Sequence, residues 1–174
     1  MTKENKPELV RPKVNKILFA ASFFIVLNII FSIILTFEFY APGTGGCSLN
    51  SVFDCTTVAQ SEYSVLFGIP VAVWGIMFYS GLLIGTLGVV LRIPFHKILK
   101  FLRPNTVLNI TRYFVYFGIL FSLYLTYIEA LVLYTFCPYC IAQQVVVLII
   151  AGLHIWAYKV INKGLKKTQV CEFC

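Results

Sequence analysis

Two pairs of cysteines carry the clearest chemistry in this sequence. Cys47 and Cys55 lie in a polar segment, and Cys137 and Cys140 belong to a Cys-Pro-Tyr-Cys motif. Paired thiols exchange electrons when a thiolate attacks a disulfide, and the first turn of a helix favours the thiolate form of a cysteine placed there. The pattern therefore indicates a thiol redox site, provided that the fold brings the two pairs together.

Other interpretations of these cysteines stay open. A static bridge between Cys47 and Cys55 is compatible with the sequence, because disulfides persist in oxidising compartments. Zinc could bind four cysteines, but Cys47 and Cys55 are spaced more widely than the short Cys-x-x-Cys units of zinc sites, so we predict no metal. Cys171 and Cys174 form a further pair near the C-terminus. Free thiols, an acylation site and half of an intermolecular metal site all fit that pair.

The composition predicts a membrane protein. The chain has 174 residues, of which 59% are hydrophobic and 12% charged, and its mean hydropathy is +0.86. One water-soluble core cannot hide so much apolar surface. Since a spanning helix needs about 20 apolar residues, the apolar runs predict four helices, at about 16–38, 63–92, 111–134 and 137–160.

The boundary between the last two helices is predicted at Cys137-Pro138. Proline cannot continue a helix that precedes it, but it fits the first turn of a new one. The pair Cys137 and Cys140 would then open the fourth helix. The predicted fold class is an all-α integral membrane protein, a four-transmembrane-helix bundle with a short outward loop helix between helices 1 and 2.

The distribution of lysine and arginine predicts the orientation. Of the 14 in the chain, five precede the first helix, five lie between or at the ends of the second and third, and four follow the fourth. Segments that stay in the cytoplasm carry such an excess of positive charge. We therefore predict that both termini are cytoplasmic and that both cysteine pairs face outward. The net charge of +7 is a topology signal, and we predict no nucleic-acid partner.

We divide the chain into three parts. Residues 1–16 are predicted to form a basic cytoplasmic N-terminus, residues 17–160 a four-helix catalytic domain with an outward loop at 39–63, and residues 161–174 a cytoplasmic tail. The first apolar run follows a basic leader, as in a signal peptide. It is longer than the run of about 7–15 residues typical of signal peptides, so we predict a retained anchor.

The outward loop is predicted to be mobile at one end and helical at the other. Three glycines in residues 41–46 give the backbone before Cys47 many accessible conformations. The stretch from Asp54 to Tyr63 is expected to form the short helix, with Asp54 or Thr56 as its N-cap.

With these elements placed, the chain resembles the vitamin K epoxide reductase family in its bacterial form. The resemblance rests on the loop pair Cys47 and Cys55, on the segment Ser-Glu-Tyr-Ser-Val-Leu-Phe-Gly-Ile-Pro at 61–70, and on the Cys-Pro-Tyr-Cys motif that opens the fourth helix. It covers most of residues 17–160.

The resemblance implies a bundle of four helices around a quinone, either ubiquinone or menaquinone. A thioredoxin-like protein on the outer face attacks the loop disulfide at Cys47, the freed Cys55 attacks Cys137, and Cys140 faces the quinone. Such a protein lies among the lipids of the bacterial cytoplasmic membrane, with its active site toward the periplasm or exterior, and supports disulfide formation in exported proteins. The sequence ends without a fused thioredoxin-like domain, so a separate partner is expected.

Quinone-binding residues are predicted from their positions near Cys140. Gln143 and Gln144 follow it by one turn, and an amide there could donate to a quinone carbonyl; packing against a neighbouring helix is an equally good interpretation. Phe67, Trp74 and Tyr127 are predicted to line an aromatic pocket, although aromatic residues near a membrane interface often form a belt instead.

Two further positions bear on substrate and mechanism. Vertebrate members of the family carry a substrate-contacting tyrosine where this chain has Gln144, which favours quinone reduction over epoxide reduction. Glu129 precedes Cys137 by about two turns. An acid inside a membrane segment indicates function, although at this depth its side chain could also reach water.

Two alternatives to a thiol:quinone oxidoreductase remain open. One is a non-catalytic four-helix membrane protein with structural disulfides and a partner-binding loop. The other is an unrelated four-helix quinone-linked oxidase, in which the Cys-x-x-Cys pair normally lies in the first outward loop. In this chain the order of the two pairs is reversed.

Overall fold

The computed structural model describes the backbone of residues 6–44, 46–47, 50, 52–91 and 104–170, and the side chains of residues 12–44, 46–47, 50, 52–91 and 110–161. Cys171 and Cys174 and most of the predicted middle loop lie outside these ranges.

Five α-helices and one short hairpin make up the described fold. The helices are α1 (Lys6–Tyr40), α2 (Cys55–Ala59), α3 (Val71–Val90), α4 (Pro104–Ile128) and α5 (Pro138–Val170). The strands are β1 (Val65–Leu66) and β2 (Ile69–Pro70), a 3₁₀ turn covers Glu62–Ser64, and a π-helical turn at Glu129–Leu133 follows α4.

The four long helices confirm the predicted membrane bundle. Each of the four long helices contains a segment that is long and apolar enough to cross a bilayer. In α4 this segment includes the π turn that follows the helix. Both α1 and α4 pack against α3 and α5. Large apolar side chains such as Phe19 and Leu120 are 69% and 67% exposed. Apolar surface on this scale requires an apolar surrounding, which lipid supplies.

One apolar cluster joins all four long helices near their middle. Ile25 of α1, Leu82 of α3, Val115 of α4 and Ile150 of α5 are all buried there. A separate buried cluster contains Cys47, Cys55 and Cys137 together with Leu35, so the cysteines are packed beside this central cluster and not within it.

The short loop helix is confirmed and its cap is Asp54. α2 spans Cys55–Ala59, and the Asp54 carboxylate accepts the N–H of Thr56 at 3.0 Å. Because an aspartate at this position satisfies an otherwise unpaired amide of the first turn, it stabilises even a helix as short as α2. Cys55 is thereby the first residue of a capped helix.

The prediction that the second long helix begins near residue 63 is wrong. Val65–Leu66 pairs with Ile69–Pro70 in an antiparallel hairpin, and α3 begins only at Val71. Phe67 and Gly68 both have positive φ, at 54° and 78°, as the two-residue turns that join short hairpins require. A short apolar run cannot be assigned to strand or helix from periodicity alone.

The first and fourth predicted helices are too short. α1 begins at Lys6 and α5 ends at Val170. Apolar length defines the part of a helix that lies in lipid, whereas lysine and glutamate are themselves good helix formers. The helices therefore continue beyond the apolar runs.

The break between α4 and α5 lies where it was predicted. After the π turn, Tyr134 adopts left-handed backbone angles with φ 51° and ends the helix. Pro138 is then the first residue of α5, a position where its fixed φ favours helix and its missing N–H is not needed. Cys137 is the residue that caps α5.

α1 and α3 approach closely beside the cysteine end of the bundle. A Cβ built at Gly75 would lie 2.9 Å from the Oγ of Ser32. Small residues at helix crossings let backbones come together in membranes, where packing drives association. Gly75 is thus required by the crossing.

Candidate functional site

The loop that carries Cys55 is joined to the turn before Cys137 by main-chain hydrogen bonds. The N–H of Phe136 donates to the carbonyl of Val52 at 2.8 Å, and the N–H of Asp54 donates to the carbonyl of Phe136 at 3.1 Å. These bonds form a parallel bridge between Phe53 and Phe136. Cys55 and Cys137 are thereby brought to the same place from distant parts of the chain.

Glu38, near the end of α1, holds the other side of the loop. Its side chain is 1% exposed, and its Oε1 accepts the N–H of Gly43 at 2.7 Å and the hydroxyl of Thr56 at 2.5 Å. One residue therefore ties the segment before Cys47 to the helix that begins at Cys55. We call this group of three residues, Glu38, Gly43 and Thr56, the loop clasp.

Three of the four predicted cysteines meet at this point. Cys47 and Cys55 form a disulfide, and the Sγ of Cys137 lies 2.8 Å from the Sγ of Cys55. All three sulfurs lie within 4.8 Å of one another, and Cys55 and Cys137 are fully buried. A free thiol in contact with a disulfide is the arrangement that thiol–disulfide exchange requires.

Cys140 lies beside Cys137 on the first turn of α5. Both are free thiols. The N–H of Cys140 donates to the Sγ of Cys137 at 3.4 Å, and the two side chains are also hydrogen-bond partners. The sulfurs therefore follow one another from Cys47 to Cys55, Cys137 and Cys140.

The same sulfurs also make a group of possible metal ligands. Cys47, Cys55 and Cys137 each offer one sulfur, but the first two are bonded to each other. Since a metal takes thiolates, that pair could serve only after reduction. The prediction of no metal stays a prediction.

A cavity of about 560 Å³ opens beside Cys140. Pockets of roughly 300–1,000 Å³ with mainly apolar walls are typical of small-molecule sites. Cys55, Cys140 and Glu129 line it, and aromatic side chains of α3 and α4 form much of its wall. These aromatic residues are Trp74, Phe78, Tyr79, Phe114, Phe117 and Phe121.

Four of the five predicted quinone-binding residues line this cavity, namely Gln143, Gln144, Phe67 and Trp74. The indole N–H of Trp74 donates to the carbonyl of Leu66 at 3.2 Å, so the hairpin holds the ring in place. Their role in binding quinone stays a prediction.

The prediction that Tyr127 lines the pocket does not fit the structure. Tyr127 is absent from the cavity wall, which includes Leu125, Ile128 and Glu129, and its side chain is 56% exposed. Residue 127 is two positions from Leu125, and residues two apart on a helix point in very different directions. Tyr127 therefore faces away from the cavity.

Gln143 makes the contacts expected of a helix-packing residue. Its Nε2 donates to the carbonyl of Asn28 at 3.1 Å and to the Oγ of Ser32 at 2.8 Å. Both partners belong to α1. The amide thus links α5 to α1 at the edge of the cavity, which is the alternative that the sequence left open.

Sequence reasoning missed Phe114, Phe117 and Phe121 as cavity residues. Their spacing of three and four positions places them on one face of α4, and the same face continues through Leu125 to Glu129. Counting back from Glu129 in helical steps would have found them.

Glu129 does not reach water. Its side chain is 3% exposed, and its Oε2 accepts the N–H of Cys137 at 3.3 Å. It is also a hydrogen-bond partner of the Cys140 thiol.

Comparison with known proteins agrees with this geometry. No curated protein sequence matches the chain. The model of the vitamin K epoxide reductase family matches residues 18–155, a range that holds all four long spans in large part and every cysteine of the site. Since the match covers most of the sequence, the chain belongs to the vitamin K epoxide reductase family and is a membrane oxidoreductase.

Proposed function

We propose that this protein is a thiol:quinone oxidoreductase. It passes electrons from a separate thioredoxin-like partner through Cys47 and Cys55, then through Cys137 and Cys140, to a membrane quinone. Its product outside the membrane is an oxidised partner that makes disulfides in exported proteins. The observation that carries the proposal is the 2.8 Å contact between the Sγ of Cys137 and the Sγ of Cys55 within the loop disulfide.

The first exchange takes place at Cys47. A partner thiolate attacks its Sγ, a mixed disulfide forms and Cys55 leaves as a thiolate. The second partner thiol then attacks the mixed disulfide, so the partner departs oxidised. Cys47 and Cys55 keep the two electrons as a dithiol.

The second exchange takes place between Cys55 and Cys137. The Cys55 thiolate attacks Cys137 in a Cys137–Cys140 disulfide, and Cys140 leaves as a thiolate. Cys47 then attacks Cys55, which restores the loop disulfide and releases Cys137. The final state has one disulfide in the loop and two thiols on α5, and this combination is present in the structure.

The cavity fits a quinone in size and in chemistry. Its walls are mainly aromatic and aliphatic, and Cys140, Gln143 and Gln144 contribute polar groups on one side. A bound quinone supplies the oxidant that removes two electrons and two protons from the dithiol. Cys140 is the free thiol that lines the cavity, and Gln144 is the residue proposed to donate a hydrogen bond there. Gln144 in place of a tyrosine favours quinone over epoxide as substrate.

Access to Cys47 requires movement of the loop. Its side chain is only 6% exposed, so a partner protein cannot reach its sulfur in this conformation. Gly43 and Gly46 have positive φ, at 84° and 63°, a region that other residues rarely adopt. We propose that the Cys47 sulfur becomes accessible when the loop clasp opens.

The proposed setting is a bacterial cytoplasmic membrane, with both termini inside and the cysteines facing the periplasm or exterior. The support is the charge distribution, since all lysine and arginine residues lie toward the opposite ends of the spans. The structure adds that the loop and the turn before Cys137 lie at one end of the bundle.

The test is an electron-transfer assay in detergent. The purified protein is mixed with a reduced thioredoxin-like protein and with a short-chain ubiquinone or menaquinone, and loss of quinone absorbance is followed. The reference carries Cys171→Ser and Cys174→Ser, so that only four thiols remain. In this background Cys137→Ser and Cys140→Ser are expected to stop quinone loss, and Cys140→Ser to trap a disulfide between Cys55 and Cys137.

Two outcomes would count against the enzyme. A reference protein that consumes neither quinone would support the alternative of structural disulfides. Quinone loss that persists in Cys140→Ser would show that electrons reach the quinone by another route.

A further inference from the structure

Glu129 is a buried acid for which the electron path described above has no role. It lies in the π turn between α4 and α5, and its side chain is 3% exposed. The lysines and arginines whose side chains are described, Lys13, Lys16, Arg112 and Lys159, belong to the opposite ends of the helices. A carboxyl group inside a membrane protein is costly and is normally retained for function.

The contacts of Glu129 point to the two thiols of α5. Its Oε2 accepts the N–H of Cys137 at 3.3 Å, and its side chain is a hydrogen-bond partner of the Cys140 thiol. It also lines the cavity together with Cys140. One carboxyl group therefore touches a reacting sulfur and the space where the oxidant is proposed to bind.

The backbone around Glu129 is built irregularly. The carbonyl of Glu129 accepts the N–H groups of Tyr134 and Thr135, the latter at 3.2 Å, and Tyr134 is left-handed. π-helical turns are rare in proteins, and those that occur are often found at functional sites. Here the turn holds the acid against the start of the next helix.

We propose that Glu129 is the catalytic base that takes the proton of the Cys140 thiol when Cys137 and Cys140 are oxidised. The proposal rests on the quinone-dependent function given above. It adds a route for a proton to the route already given for the electrons.

The step balances as follows. The S–H bond of Cys140 breaks, its proton moves to a carboxylate oxygen of Glu129, and the sulfur becomes a thiolate. The Sγ–Sγ bond between Cys140 and Cys137 then forms, and two electrons pass to the bound quinone. Glu129 passes this proton to one oxygen of the reduced quinone and returns to the carboxylate, and the proton of the Cys137 thiol goes to the other quinone oxygen. The quinone leaves as the quinol.

The other titratable side chains of the cavity wall are less suited to this role. They are Tyr63 and Tyr79, because Cys55 is in a disulfide and Cys140 is the thiol that loses the proton. Among the described residues of that wall, Glu129 is the only carboxylic acid, and it accepts the backbone N–H of Cys137 and is a hydrogen-bond partner of the Cys140 thiol. General acid–base groups must lie within hydrogen-bond reach of the proton that they move.

The key variant is Glu129→Gln, which keeps the shape and an acceptor for the Cys137 N–H but cannot take a proton. Glu62→Gln is the matched control, because Glu62 is an exposed acid in the outer loop and does not line the cavity. Each protein is reduced, freed of reductant and mixed with a short-chain quinone in a stopped-flow instrument. We expect Glu129→Gln to slow dithiol oxidation about 10²–10⁴-fold, and Glu62→Gln to match the wild type.

A second measurement separates catalysis from structure. Alkylation of Cys140 by a neutral maleimide, followed by peptide mass spectrometry, is measured in reduced protein without quinone, at an alkaline pH where hydroxide ionises the thiol without help from Glu129. We expect Glu129→Gln to be alkylated as fast as the wild type, because its thiol remains in place. We also expect acetate or formate to restore part of the quinone-driven rate to Glu129→Ala, since a small carboxylate can occupy the space left by the side chain.

Different results overturn different conclusions. If quinone oxidises the dithiol of Glu129→Gln at the wild-type rate while Cys140→Ser is inactive, the role of Glu129 is refuted and the relay stays intact. Loss of both oxidation and alkylation in Glu129→Gln, with no rescue of Glu129→Ala, would make Glu129 a structural residue and also refute the proposal. Full activity of Cys140→Ser would refute the proposed function itself.

Discussion

The Sγ of Cys137 accepts the backbone N–H of Cys140 at 3.4 Å, so the first cysteine of the motif is the N-cap of the helix that carries the second. The first turn of a helix has unpaired N–H groups that a side-chain acceptor can satisfy. In this protein a redox-active sulfur takes that position. The chemistry of Cys137 and the start of α5 are therefore linked through a single atom.

The cap predicts that two substitutions at Cys137 differ in stability and agree in activity. Serine is a good N-cap and alanine is a poor one, so Cys137→Ala should lose about 1 kcal/mol of stability relative to Cys137→Ser. Both variants should fail to reduce quinone. Thermal unfolding in detergent measures the first effect, and equal melting temperatures would show that a side-chain acceptor at position 137 contributes no cap.

The loop clasp predicts how fast the loop disulfide becomes accessible. Glu38→Gln replaces charge-assisted hydrogen bonds to Gly43 and Thr56 by neutral ones, which are weaker by about 1 kcal/mol. We expect dithiothreitol to reduce the Cys47–Cys55 bond several-fold to about tenfold faster in this variant. A tenfold increase corresponds to about 1.4 kcal/mol.

The measurement is alkylation with a mass-shifting maleimide at timed intervals of reduction. Glu62→Gln serves as the control, because its side chain lies outside the clasp and is exposed. An unchanged rate in Glu38→Gln would mean that another contact keeps Cys47 covered.

The crossing of α1 and α3 predicts a contrast between two glycines. Gly75→Ala places a methyl group 2.9 Å from the Oγ of Ser32, whereas a Cβ at Gly152 meets nothing within 4 Å. Overpacking of this kind typically costs about 1–3 kcal/mol. Gly75→Ala should lower the melting temperature, and Gly152→Ala should leave it unchanged or raise it slightly. Equal stability of the two variants would contradict the close approach.

The two neighbouring glutamines predict opposite phenotypes. Gln143→Ala removes two hydrogen bonds to α1 and should reduce stability by about 1 kcal/mol, as interhelical bonds in membranes do. Gln144→Ala should keep its stability and raise the KM for quinone about fivefold, the effect of one lost hydrogen bond of roughly 1 kcal/mol. Steady-state kinetics and thermal unfolding of both variants separate the roles, and a raised KM in Gln143→Ala alone would reverse them.

The sequence allowed prediction of the features that depend on composition and on local signals. Apolar length predicted four spans, and Cys137-Pro138 predicted the start of α5. The hairpin at 65–70 was missed because a short apolar run before a helix looks like part of it. The prediction for Tyr127 rests on its distance from the interface alone, whereas the helical register of α4 turns its side chain away from the cavity.

The remaining features depend on contacts between distant residues. The bridge between Phe53 and Phe136, the burial of Cys47 and the contact of Glu129 with Cys137 each join segments that are separated in the chain or by an irregular turn. No local pattern specifies such contacts. They arise only when the bundle has assembled.

The bridge between Phe53 and Phe136 consists of peptide groups, so no particular side chain is needed to form it. At this bridge the loop is held through its backbone, and we expect the same bundle to accept different outer loops that keep the acceptor contacts of the loop clasp. A chimera can carry the loop of a relative, with its own cysteine spacing, grafted between α1 and α3. This chimera should prefer the relative's thioredoxin-like partner and still use the same quinone as oxidant.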